Sequence, residues 1–348
     1  MPDDAPANDL AQPATMHDVA RRAGVSIKSV SRVINAEPHV SAKLRAKVES
    51  AIAELHYVPD PAARSLAGAR SFTIGILLDN PSPNYTMKVV SGVYQAASSR
   101  SYHLRIDAAD TSRGDNLLRN KLEHIVANGR IDGFVLTPPL TDHPVVLDFL
   151  EARGIRYCRI APVTDPGRSP AVAIDDAAAA GEMAAYLWGL GHRRFGIVTG
   201  PAAHGAANAR RSGFVARLQE LLHNPSIAEA DGDFSFATGI EAGLKLLRSE
   251  PRPTAIFAAN DDSAAGVMVA CSQAGLSVPR DISVCGFDDS WVAMSVWPYL
   301  TTVYQPIEEM GRAAANMLLE RDAGSAPWPV KMLDYRMIVR DSVGPAPQ

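Results

Sequence analysis

The apolar positions of this chain fall into two regimes. Between residues 15 and 55 they recur at helical spacing in short runs. Thr15, with Asp18 three residues on, reads as a helix start in which each side chain answers the other's backbone. Val19, Ala20 and Ala23 give that helix one inward face, and Gly24 supplies a turn residue. Ser26 opens a second helix, where Val30, Val33 and Ile34 stand at i, i+3 and i+4, the spacing of one buried stripe. Ile27, Lys28, Ser29, Ser31 and Arg32 are left facing outward. Ser41 opens a third helix whose Leu44, Val48, Ala51, Ile52 and Leu55 close a small core. Short helices meeting at a glycine turn predict a helix-turn-helix, whose second helix enters the DNA major groove.

From residue 71 the regime changes. Apolar runs at 72–78, 103–108, 133–137, 156–160, 171–174, 195–199, 255–259 and 282–287 predict strands, separated mostly by stretches with helical spacing. Alternation of this kind argues for parallel sheets with helices on both faces. The units are too many for one comfortable doubly wound sheet, and PVTDPGRSP at 162–170 reads as a crossover. The expected fold is therefore α/β: an N-terminal helix-turn-helix head and a two-lobed core of parallel sheets, with 298–303 and 330–340 returning across the lobes. The boundaries read as a disordered tail at 1–14, a head at 15–58, a hinge at 59–70 and a core at 71–342. Its first lobe takes about 71–168 and 302–326, its second about 169–300 and 327–342.

Charge sharpens the first regime. From Arg21 to Lys47 there are seven Lys or Arg against Glu37 alone, while the whole chain carries −4. Such a patch neutralises phosphates and makes binding salt-dependent. Cys158, Cys271 and Cys285 are odd in number and widely spaced, so neither a disulfide framework nor a metal site is expected, and all three read as buried. With no secretory signal in residues 1–14 and no apolar run near the roughly 20 residues of a membrane helix, a cytoplasmic protein away from membranes is expected. The chain shows no nucleophile elbow and no P-loop. Gly189-Leu190-Gly191 does not complete a dinucleotide fingerprint and reads as a helix end with Gly191 just past it. Asp175 and Asp176 would point apart on a strand. Neither an enzyme nor a cofactor is expected.

Ligands of such sheets sit outside the carboxyl ends of the strands. That rule points to loops carrying Asn80 and Tyr85, Thr137, His204 and Arg210, Asn260 and Asp261, and Asp288. Amides, carboxylates, a guanidinium and an aromatic face suit a hydroxyl-rich ligand. His204 reads as an exposed loop histidine, Asp289 as structural, and Trp291 and Trp297 as packed in the core. The helix after Tyr85, with Lys88, Val89, Gly92, Val93 and Ala96 on one side, is the candidate for contact with a second copy.

The run DVARRAGVSIKSVSRVIN, followed by HVSAKLRAKVESAIAELHYVPDPAARSLAG, resembles the DNA-binding head of the LacI/GalR family of bacterial transcription regulators. The resemblance implies that Ile27 and Lys28 choose operator bases and that Arg32 reaches a guanine. It implies phosphate contacts at Thr15, Ser26, Ser31, Asn35, His39 and Ser41. It also implies a hinge helix that orders on DNA beside a partner's copy, with Ala63 and Leu66 in the minor groove and Leu66 as the wedge. Asp60 can cap that helix and Pro61 suits its first position. Two departures from the family pattern stand out: Asp60-Pro61 where Asn-Arg or similar is frequent, and Leu44 where Thr is common. The core, by the same resemblance, looks like a periplasmic sugar-binding protein. GPAAHGAANARRSGF then implies that Arg210 clamps the ligand, NDDSAAG that Asn260 and Asp261 bind hydroxyls, and GFDD that Asp288 faces the cleft. Phe234 stands where an aromatic stacks, with core packing as its other reading. The expected function is a homodimeric repressor of carbohydrate-utilisation genes on a near-palindromic operator, controlled by a sugar or glycoside. The alternative is a regulator answering to a purine or other non-sugar metabolite, with its role as inducer or corepressor left open.

Overall fold

The computed structural model describes residues 14–34, 40–57, 71–320 and 328–347. Asn35, His39, Ala63, Leu66, the hinge at 59–70 and nearly all of the expected tail lie outside the described residues. The chain divides into a head that ends at Phe72 and a core that starts at Thr73.

In the head, α1 (Met16–Ala23), α2 (Ile27–Ile34) and α3 (Ala42–Glu54) form where the caps place them. The Asp18 N–H donates to the Thr15 hydroxyl at 3.3 Å, and the Thr15 N–H donates back to the Asp18 carboxylate at 2.9 Å. Gly24 ends α1 at φ +65°, a conformation that a residue without Cβ adopts most easily. The hydroxyls of Ser26 and Ser41 accept the N–H groups of Ser29 and Leu44. Val19, Val30, Val33, Val48 and Ala51 are buried, joined by Tyr57, which the helical spacing did not reveal.

The core holds two parallel sheets. The first runs in the order β11-β5-β4-β3-β1-β2 and the second β7-β6-β8-β9. In the first, β1 (Thr73–Leu78) pairs with β2 (His103–Ala108) and β3 (Phe134–Leu136), and β4 (Tyr157–Ile160), β5 (Ala171–Ala173) and β11 (Val330–Met332) follow outward. In the second, β6 (Arg194–Val198) lies between β7 (Ser226–Ala230) and β8 (Ala255–Ala258), with β9 (Ser283–Cys285) beyond. β10 (Thr302–Tyr304) and β12 (Arg336–Ile338) form an antiparallel pair. Strands covered by helices on both faces read as continuous apolar runs, and the middle of β1 is wholly buried.

Several expectations are corrected. β5 and β11, assigned to the second lobe from sequence, hydrogen-bond in the first sheet: Arg159 pairs with Ala171, and Ala171 with Val330. The prolines of 162–170 mark irregular backbone between neighbouring strands of one sheet, and punctuation of that kind does not by itself signal a change of lobe. β7 went unrecognised because SIAEA is short, with only Ala230 fully buried. Asp175 and Asp176 lie not on a strand but at the start of α7 (Asp176–Gly189), with Asp175 as its cap. The apolar side read from sequence as a contact with a second copy is occupied within the chain. On α4 (Pro83–Ser99), Val89, Gly92, Val93 and Ala96 are buried. They are buried against α11 (Ile307–Leu319) of the same chain, so closely that a Cβ on Gly92 would stand 1.9 Å from the Glu308 carbonyl oxygen. Trp291 and Trp297 are 67% and 77% exposed, not packed in the core. The three cysteines are buried, and Gly191 follows α7 at φ +93°.

Candidate functional site

Five carboxyl-terminal strand ends and the start of one helix converge between the sheets. The loop after β1 brings Asn80 and Ser82, and the first turn of α4 brings Tyr85. The loop after β6 ends at His204, the residue before α8 (Gly205–Leu221), which carries Arg210. Phe234 follows β7, Asn260 follows β8, and Asp288 follows β9. These eight side chains line one cavity. Of the residues expected from sequence, Asn80, Tyr85, Arg210, Phe234, Asn260 and Asp288 meet there. Thr137 and Asp261 do not line it. The Thr137 hydroxyl donates to the Leu77 carbonyl at 2.9 Å in the sheet. The Asp261 carboxylate accepts from the Ser290 N–H at 2.7 Å and from the Thr302 hydroxyl at 2.6 Å, which ties it to β10, the crossing strand.

Arg210 is the electrostatic centre. Its Nε donates to Asp176 at 2.7 Å, one terminal nitrogen donates to the Ala259 carbonyl at 2.8 Å, and that nitrogen lies 3.5 Å from Asp288. The guanidinium lies 3.8 Å from the centre of the Phe287 ring, a stacked cation–π contact. Burial alone would lower its pKa, but Asp176 and Asp288 hold it above the ordinary value. Burial raises Asp176 in spite of Arg210. Burial likewise raises Asp288 to about 6, against the pull of Arg210, a hydrogen bond from Gln305 and Lys88. Asp261 is raised by burial and then by Asp288, and burial raises the Tyr85 phenol. Asp176 could not be found by motif, because its partner lies 34 residues away.

Asn260 does two things at once. Its side-chain carbonyl caps α10 (Asp261–Gln273) by accepting the Ser263 N–H, and its amide donates to the Phe234 carbonyl at 2.9 Å. Phe234 sits at φ +71°, and Asp288 and Asp289 at +114° and +45°. Non-glycine residues in these regions cost about 1–3 kcal/mol each and collect at functional sites, where the surroundings enforce them. Gly200 makes room for Phe234: a Cβ there would stand 2.7 Å from the ring. His204, expected to be exposed, is 5% exposed and meets Phe234 edge-on at 4.8 Å.

The two lobes touch beside the cavity. Ser82 and Asn84 of the first donate to the Asp262 carboxylate at 2.7 and 2.8 Å, and the Lys88 ammonium donates to the Asp289 carbonyl at 2.9 Å. Asp289 also pairs with Arg340 at 2.6 Å. With the lobes so joined the space between the lining side chains is about 10 Å³, room for a group the size of one water.

On the head, Thr15, Ser26, Lys28 and Ser41 are exposed and Ile27 is 40% exposed, while Ser31 and Arg32 are half-buried on the same helix. Among the described residues, no cluster of His, Cys, Asp or Glu could hold a metal ion, and no helix is long and apolar enough to cross a membrane.

Residues 15–60 match the model of the bacterial regulatory proteins of the lacI family, and residues 184–343 match a periplasmic binding protein-like domain. The chain is 37% identical over 317 residues to the ribose operon repressor of Escherichia coli K12, which covers 88% of this chain and 93% of that one. It is 35% identical over 315 residues to the transcriptional repressor PurR of Salmonella paratyphi B, covering 88% and 90%. The lac repressor dimer bound to operator and the anti-inducer ONPF superposes with a TM-score of 0.78 at 30% identity, covering 96% of this chain and all of that one.

Proposed function

Because the chain belongs to the lacI family of bacterial regulatory proteins, and is a transcriptional repressor of that family rather than an enzyme, we propose that a sugar or glycoside held between its two lobes sets its affinity for operator DNA. The observation that carries this reading is the convergence of Arg210, Asn260, Asp288 and Asn80 with the rings of Tyr85 and Phe234 on one cavity between parallel sheets. Planar donors and acceptors with an aromatic face are what a polyhydroxyl ring needs. The likeness to a ribose operon repressor supports the same reading. The likeness to PurR supports the second, a purine effector.

In this reading the protein is a homodimer on a near-palindromic operator. Ile27 and Lys28 read bases from the exposed start of α2, and Arg32 reaches a guanine further along it. Thr15, Ser26, Ser31, Asn35, His39 and Ser41 hold phosphates. Ala63 and Leu66 enter the minor groove, with Leu66 opening a base step. Ligand binding changes how the lobes meet and so shifts operator affinity by a coupling free energy of about 1–3 kcal/mol. A thermal-shift screen of the whole chain against sugars, glycosides, sugar phosphates and purines tests the effector. Stabilisation by one sugar class is expected, and stabilisation by purines alone would favour the second reading. Leu66→Ala is expected to weaken specific binding far more than non-specific binding. Equal loss on both DNAs would remove the wedge.

A further inference from the structure

His204 occupies the position before α8 where a helix favours Ser, Thr, Asp or Asn, because their short side chains accept the free N–H groups of the first turn. Its side chain makes no such bond. The ring turns instead toward Phe234 in the cavity wall, in a T-shaped contact, and is 5% exposed. Both ring nitrogens lack a hydrogen-bond partner among the described residues. Leaving a buried polar group unpaired costs the full desolvation of that group, so the arrangement makes sense when something in the cleft completes it.

The charges of the cavity say what that something is. Arg210 is already balanced by Asp176 and Asp288, and the Lys88 ammonium does not line the cavity but donates to the Asp289 carbonyl beside it. A phosphate or carboxylate placed here would face Asp288 with no uncommitted cation among the lining residues, and burying an unpaired charge is expensive. Burial and the nearby Arg210 push the His204 pKa down to about 3, so the imidazole is neutral at ordinary pH. A neutral imidazole offers one N–H donor and one nitrogen acceptor. A hydroxyl both donates and accepts, whereas an ionised phosphate oxygen only accepts.

We propose that the cleft takes an uncharged sugar, free of phosphate or carboxylate, and that His204 selects it by hydrogen bonding to a ligand hydroxyl. This inference rests on the reading of the cleft as a sugar site and narrows it.

The test uses the full chain in isothermal titration. The probes are ribose, glucose, fructose and galactose, each beside its monophosphate, and hypoxanthine. The proteins are the parent, His204→Phe and His204→Gln, with the melting temperature of each measured without ligand. One uncharged sugar is expected to bind the parent at least tenfold more tightly than its phosphate. His204→Phe should lose tenfold or more in affinity for it while melting at or above the parent's temperature. His204→Gln, which can still donate and accept, should recover most of that loss. A sugar bound equally well by His204→Phe would overturn the role of His204 and leave the sugar reading in place. A phosphate bound as tightly as its parent sugar would overturn the uncharged ligand. Binding of hypoxanthine alone would overturn this proposal and the sugar reading together, and binding of none of the probes would overturn this proposal.

Discussion

On the head, the hydroxyls that cap the helices are fixed by neighbours three residues away: Thr15 by Asp18, Ser26 by Ser29, and Ser41 by Leu44. These groups are largely exposed. In the cleft the corresponding distances along the chain are 26 residues for Asn260 and Phe234, 34 for Arg210 and Asp176, and 180 for Ser82 and Asp262. Those groups are buried or half-buried. The head can therefore lose one contact and stay intact elsewhere, since each cap acts within its own turn. The cleft cannot, because each polar group there leaves a partner stranded in a low-dielectric interior.

Arg210→Met is the most severe way to expose that difference. It leaves Asp176 and Asp288 buried without their cation, and breaking a buried pair in this way costs about 3–5 kcal/mol. Denaturant unfolding of the core should show the loss, with effector binding abolished. A core as stable as the parent's would mean that the two carboxylates are compensated by other groups. Gly92→Ala comes next, at roughly 1–3 kcal/mol for overpacking. Its new methyl would press on the Glu308 carbonyl, and the helices can yield only by moving apart. Thr15→Ala should cost about 1 kcal/mol. That cost is confined to the head, so operator binding weakens while the core melts as before. A lowered core melting temperature would contradict the local character of the cap.

The last effect is a slope. Asp288, at about 6, faces Arg210, Lys88, Asp262, Asp261 and Tyr85. Its folded pKa lies above the ordinary 3.8, so between those values the folded state binds more protons than the unfolded one. Its contribution to stability therefore rises as pH falls from about 6 toward 4, and is lost as pH climbs back through 6. Asp288→Asn should flatten that part of the curve of core stability against pH. An unchanged curve would assign the proton uptake to Asp261 or Asp176.

The same contrast explains what the chain disclosed in advance. The helix-turn-helix was legible because a capping box, a glycine turn and a stripe at i, i+3 and i+4 are written in consecutive residues. The parallel sheets were legible because their strands are apolar throughout. β7 was not, since an edge strand need bury little. The membership of β5 and β11 in the first sheet depends on pairing, which no local pattern encodes. Within the cleft, loops after strands pointed to Asn80, Arg210 and Asp288, yet the same rule also drew in Thr137 and Asp261, whose polar atoms turn into the sheet and toward the crossing strand. Asp176 and Ser82 were missed, and His204 was taken as exposed. What decides each case is the direction of a side chain relative to the other lobe or to a helix far along the chain.

The seating of Gln305 has a mechanical consequence. Its amide donates to the Asp288 carboxylate, while the Asp288 N–H donates to the Val303 carbonyl at 2.8 Å. Two residues later α11 begins, and it docks on α4 where Gly92 and Gly311 leave no clearance for even a methyl group. Asp288, the crossing strand, α11 and α4 thus form a train of parts with almost no backlash. In such a train, a displacement of Asp288 at the cavity wall bears on the α11–α4 contact with little room to be absorbed as slack.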